Sequence, residues 1–321
     1  MPKTWFRPQI DGLRAPKAVS AKDDEIDEIH KSYQAAIDAV YNRLKPSYNG
    51  ALDLYKVRKK LEQWVAKKVP DGYSLQNGLI FIALDYFYSR RFKSKIDLNI
   101  QTRTPLIHSY LRQRQKDHMD SNSHLLLSYM TTANLIPEKW LPEQLLIDPI
   151  KAEIKKLHEF KDVRIDLNLA LTPGGKRWVY ENFLLNWEKL KNYIDAGRPW
   201  PIRVVANTLN PYKNKSVIVY GYEDTGNFSG KIFVYDIYCP DQEHTINFKL
   251  NDSALIVSES CRQSNCSNYL CGFFCENYSV ALPPHSRVSR FFHSVLPVKS
   301  IWHLLRFICL FWLWVKNRFN C

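Results

Sequence analysis

Val217-Ile218-Val219-Tyr220-Gly221-Tyr222, followed by Glu223-Asp224-Thr225-Gly226, is the stretch on which the fold turns. The run is β-branched and aromatic, too short for a helix, and it ends in an acidic, glycine-containing turn, which together read as a strand. The same pattern recurs on both sides of it. Ile202-Arg203-Val204-Val205 begins the period-two region just after Gly197, and a second glycine turn stands at Gly230. Ile232 to Tyr235, Thr245 to Leu250, Ala254 to Val257 and Leu270 to Phe274 follow as short apolar segments separated by turn residues. From residue 198 onward the chain therefore reads as a meander of antiparallel strands.

Before Gly197 the period is helical. Ile26, Ile29, Tyr33, Ile37, Val40 and Leu44 recur at steps of three and four, and Pro46 ends the run. Leu54, Val57, Leu61, Trp64 and Val65 make a second stripe, so residues 23–69 read as a helical hairpin behind an irregular lead-in, 1–22. Gln76 to Tyr88 is apolar nearly all round, as a buried helix is. Further helices are expected at about 105–117, 122–133, 136–160 and 176–196, the last closed by Gly197 as a C-cap. Helices first and strands later give the α+β class. The expected domain runs from 70 to 285, with a helical lobe at 70–197 and an antiparallel β-sheet lobe at 198–285.

Composition bounds the function. The chain has 321 residues, 45% hydrophobic and 24% charged, ordinary values for a folded protein. A net charge of +13 favours anionic partners. There is no zinc-finger spacing, no aromatic nucleic-acid motif and no glycine-rich phosphate loop, so nucleic acid is not an expected partner. The first residues lack the apolar core of a secretory signal. All seven cysteines lie at or beyond Cys239, and reduced thiols are the expectation without such a signal.

Six segments, in order, carry a resemblance. They are Gly72-Tyr73-Ser74-Leu75-Gln76-Asn77-Gly78 with Ala83-Leu84-Asp85-Tyr86; Thr104-Pro105-Leu106 with Tyr110-Leu111 and Arg114-Gln115; and Gly197-Arg198-Pro199-Trp200-Pro201-Ile202. The others are Asn210-Pro211 through Lys215-Ser216-Val217 to Tyr220-Gly221-Tyr222; Tyr235-Asp236 with Pro240; and Gly272-Phe273-Phe274 with Tyr278 and Pro283-Pro284. Over residues 70–285 this resembles papain-like cysteine peptidases related to the bacteriocin leader peptidases. The resemblance implies a papain-like fold with a nucleophile at a helix N-terminus, a histidine on a later strand and an acid to orient it.

Alignment by resemblance puts Gln76 at the cysteine position, Lys215 at the histidine position and Asp236 at the orienting acid. Gln76 and Lys215 stand 139 residues apart, within the ~130–150 typical of that pair. The chemistry does not fit. A glutamine amide is no nucleophile, and a lysine near neutral pH is a cation and a poor base. The expected function is a catalytically degenerate pseudo-peptidase that binds a peptide or protein partner. Two alternatives are a hydrolase of unusual chemistry using Gln76, Lys215 and Asp236, and a membrane-acting toxin or effector.

Cys261, Cys266, Cys271 and Cys275 lack the close first knuckle of a zinc site, so no metal is expected, and no cofactor either. His108, His118 and His124 fall on helices and read as surface or internally satisfied residues. In the tail, 286–321, the unbroken apolar run Phe307 to Val315 is nine residues, far below the ~20 that a span needs. Trp302, Phe307, Trp312 and Trp314 beside Lys316 and Arg318 instead suit contact with an anionic membrane surface. The expected location is cytoplasmic, with peripheral membrane association as an alternative.

Overall fold

The computed structural model describes residues 2–13, 23–44, 75–89, 105–134, 174–206, 214–237, 243–250, 255–260 and 270–284, with isolated positions between 55 and 66. The tail with its four candidate membrane residues, the expected 136–160 helix, Cys261 and Cys266 lie outside them.

Among the described residues the helices are α1 (Pro8–Asp11), α2 (Asp23–Leu44), α3 (Gln76–Tyr88), α4 (Pro105–Asn134) and α5 (Gly174–Asp195). The strands are β1 (Trp200–Ala206), β2 (Lys215–Gly226), β3 (Ser229–Tyr235), β4 (His244–Leu250), β5 (Leu255–Ser260) and β6 (Leu270–Cys275). The two helices expected at 105–117 and 122–133 are one continuous α4. The α2 stripe Ile29, Tyr33 and Ile37 is buried, and α2 packs against α4. Gly197 closes α5 in the left-handed region, and the Arg198 N–H reaches back to the Tyr193 carbonyl at 2.9 Å.

The strands do not form the open lobe of a papain-like α+β arrangement. Each pairs antiparallel with the next, and β6 returns to pair with β1, which closes a six-stranded barrel. Closure is registered by Ile202↔Cys275 and Val204↔Phe273. Its physical reason is the unpaired edge that an open meander leaves at each end, which closure removes. Between β5 and β6 the registered pairing narrows to Val257↔Leu270. Along the rest of that seam, helices supply partners. Asn186 of α5 accepts from the Cys275 N–H at 2.7 Å, and the Tyr129 hydroxyl of α4 donates to the Phe273 carbonyl at 3.3 Å.

Two cores result. One gathers residues from all six strands, among them Val204, Val219, Val234, Ile246, Val257 and Phe273, and α5 packs into it. The Phe183 ring lies 4.9 Å from Phe248 and 5.0 Å from Phe273, and Trp187 lies 4.7 Å from Phe248. The other core lies on the opposite face of β2 and β3. There Ile218, Tyr220, Phe233 and Tyr235 meet the apolar α3 and residues Phe6 and Leu13. A bulge at Tyr220 shifts the β2–β3 register, so Tyr222 rejoins the first core.

After β6 the chain crosses back over α3. The buried Asp85 carboxylate accepts from the Tyr110 and Tyr278 hydroxyls and the Ala281 N–H, and Arg114 pairs with it at 2.7 Å. Burial outweighs these partners and pushes Asp85 up to about 6. No described helix is long and apolar enough to cross a membrane.

Candidate functional site at the helix–barrel junction

The N-terminus of α3 points at the barrel between β1 and β2. Leu75 caps it without a side-chain hydrogen bond. Gln115 of α4 takes up part of the deficit by accepting from the Gly78 N–H at 2.8 Å. Gly78 is required there, because a Cβ would sit 2.9 Å from the Gln115 backbone nitrogen.

Gln76 is the first residue of α3, where the sequence places it, and is half-buried. Its amide nitrogen finds no hydrogen-bond partner among the described residues. Asn77 is the residue that faces the barrel. Its Oδ1 accepts from Arg203 Nη1 of β1 at 2.8 Å and lies 3.2 Å from Ser216 Oγ of β2. Ser216 in turn donates to Glu276 Oε1 at 2.6 Å. His118 Nε2 of α4 meets the same oxygen at 2.7 Å, and Arg203 Nε stands 3.5 Å from it. All five residues are buried.

Lys215 and Asp236 belong to a different place. Successive side chains of a strand point to opposite faces. With Ser216 turned toward α3, Lys215 turns to the other side of β2. There Lys215 Nζ lies 2.8 Å from Asp236 Oδ2 and 2.5 Å from Glu259 Oε1. Two of the three expected site residues, Lys215 and Asp236, thus come together, joined by Glu259, while Gln76 stands beside Asn77 at the start of α3. Burial opposes the lysine charge, but both carboxylates outweigh it and raise the Lys215 pKa above its ordinary value. That lysine is a fixed cation, not a base.

The junction is electrostatically settled. Burial pushes Glu276 up, yet His118, Arg203 and the Ser216 hydrogen bond pull it below the usual carboxylate value. Burial pushes His118 down against the pull of Glu276. The consistent state is an ionised Glu276 with a neutral His118 donating from Nε2. In a hydrolytic triad the imidazole stands between hydroxyl and acid, so that it can take the hydroxyl proton. Here the acid stands between them, and Ser216 and His118 both point at one oxygen. His118 is therefore not placed to activate Ser216. Among the described residues the thiols offer no nucleophile, since burial pushes Cys271 and Cys275 up to about 12. No group of residues fit to hold a metal is found among the described residues.

Sequence reasoning missed Asn77, Ser216, Arg203 and Glu276, and took His118 as a bystander. One signal was available. Arg203 interrupts an apolar strand and Glu276 ends another, and buried charges are paired. No family model, curated protein or solved structure matches this chain.

Proposed function

We propose that the chain is a catalytically silent protein that binds a peptide or protein partner, its sequence resembling papain-like peptidases related to the bacteriocin leader peptidases. One observation carries the reading. At the helix N-terminus, where such a peptidase needs a thiolate, this chain has the Asn77 amide hydrogen-bonded to Arg203 and Ser216. The dipole of α3 favours an anion at that point. Arg203 and Glu276 already satisfy the charge there by pairing with each other. The strand position beside it carries a hydroxyl committed to a carboxylate rather than an imidazole. Lys215, held by Asp236 and Glu259, supports the same conclusion, because a base needs a depressed pKa and this one is raised.

The test uses a peptide library on the full-length protein, read twice. Binding is measured by fluorescence anisotropy, and the same mixtures are weighed by mass spectrometry. Bound peptides are expected to come back at unchanged mass. Cleavage of any peptide that disappears in Asn77→Ala or Ser216→Ala protein would overturn the reading and restore a hydrolase.

A further inference from the structure

Residues 2–13 lie against the β2–β3 face as a peptide lies in a groove. Lys3 forms an antiparallel bridge with Gly221 of β2. The Thr4 N–H donates to the Tyr220 carbonyl at 2.8 Å, and the Tyr222 N–H donates to the Pro2 carbonyl at 3.2 Å. This is strand addition, in which main-chain bonds hold an extended segment and side chains select it. The receiving strand is shaped for it. A Cβ on Gly221 would meet Lys3 Cγ at 2.8 Å and the Pro2 oxygen at 3.2 Å, so the missing side chain makes the room.

The selecting contacts are equally defined. Phe6 is buried in an aromatic pocket, its ring 5.3 Å from Phe87, 5.6 Å from Tyr235 and 6.3 Å from Tyr220. Lys3 Nζ stands 4.4 Å over the Phe233 ring and 3.9 Å from Glu243. Beyond the short α1, the Tyr235 hydroxyl donates to the Leu13 carbonyl, and Leu13 is buried. The groove thus reads a cation, an aromatic ring three residues later, and an aliphatic residue after a turn. The segment that fills it is held to β2 by the two main-chain bonds above. Short segments held by few bonds open locally at less than the global cost.

We infer that this groove is a peptide-recognition site and that residues 2–13 are its internal occupant, displaced by an extended partner peptide carrying Lys or Arg followed three residues later by Phe. The proposal deepens the peptide-binding reading above but stands on different residues. A failure here leaves the silence of the Asn77 junction untouched, and peptide cleavage there would leave this groove untouched.

The test uses the full chain and a fluorescent peptide with the sequence of residues 2–13. In the Phe6→Ala chain the pocket loses its own anchor and is expected to take the peptide. Wild type, whose own segment competes, should bind it about 30-fold more weakly, the scale on which a buried aromatic anchor acts. Peptides changed Lys3→Ala or Phe6→Ala should lose binding to the Phe6→Ala chain. A folded Phe6→Ala chain that ignores the peptide overturns the proposal. If that variant does not fold, hydrogen exchange on wild type decides. The Thr4 and Tyr222 amides should exchange roughly 100-fold faster than those of Val219 and Val234, as a locally opening unit does. Equal rates would make the segment a fixed part of the fold and overturn the proposal.

Discussion

Asn77 and Ser216, 139 residues apart in the chain, meet at 3.2 Å across the junction of α3 and β2. Gln76 and Lys215 have the same separation, but a register one residue off exchanges the two faces of a strand. The pair that faces across the junction is therefore the next one along. The sequence alone offers both registers, and packing selects the one that turns Lys215 away from the helix.

This register gives the first prediction. Asn77→Cys combined with Ser216→His should place a thiol and an imidazole in contact at a helix N-terminus. Such a thiol is expected to alkylate with iodoacetamide at neutral pH much faster than a free cysteine, because both neighbours favour the thiolate. Gln76→Cys with Lys215→His should give an ordinary rate. The pH dependence of alkylation measures both. Equal reactivity of the two double variants would contradict the face assignment.

Glu276 is the second case. Its carboxylate is the counter-charge to Arg203 in a site with almost no exposure. Glu276→Gln keeps the shape and leaves the guanidinium without a counter-ion, which costs about 3–5 kcal/mol. Chemical denaturation should show this loss. Adding Arg203→Met should restore part of it, because the pair is coupled and its members do not add. Additive losses would mean that the two charges do not share one environment.

The six strand segments, from Ile202–Val205 to Leu270–Phe274, were readable because short apolar runs between turn residues report a local preference. Closure was not. Val204 and Phe273 pair across the seam from strands far apart in sequence, and nothing in either strand encodes its partner. The all-apolar α3 gave away its burial, but not that Asn77 rather than Gln76 would face the barrel. Glu259 escaped notice for a related reason. Its partner Lys215 sits on a distant strand, and the two meet because the barrel brings them together.

His118 gives the third prediction, a pH dependence. Burial holds its pKa below the ordinary 6.5. Below that pH the unfolded chain takes up a proton that the folded chain refuses, so ν of the unfolded state exceeds that of the native state and stability falls as pH drops. Asp85 works in the opposite sense. Its folded value near 6 lies above 3.8, so between those values the folded chain holds the proton and stability rises as pH drops. Urea midpoints measured between pH 7 and 4 should therefore fall less steeply in His118→Gln than in wild type. A wild-type slope unchanged by this substitution would show that His118 is not the group refusing the proton.

Lys215 gives the last prediction. It lies between Asp236 and Glu259 with its side chain about a quarter exposed, 25%, so solvent screens part of the attraction. Lys215→Met removes the cation and leaves two nearly buried carboxylates facing each other. Like charges that close repel each other, and the cation that offset the repulsion is gone. The expected loss at pH 7 is about 2 kcal/mol, below the full cost of breaking a buried pair because of that exposure. Its signature is the recovery. Adding Glu259→Gln removes one of the two like charges and should restore part of the loss, because the three groups are coupled. A Lys215→Met loss that Glu259→Gln leaves unchanged would mean that the two acids do not feel each other across the lysine.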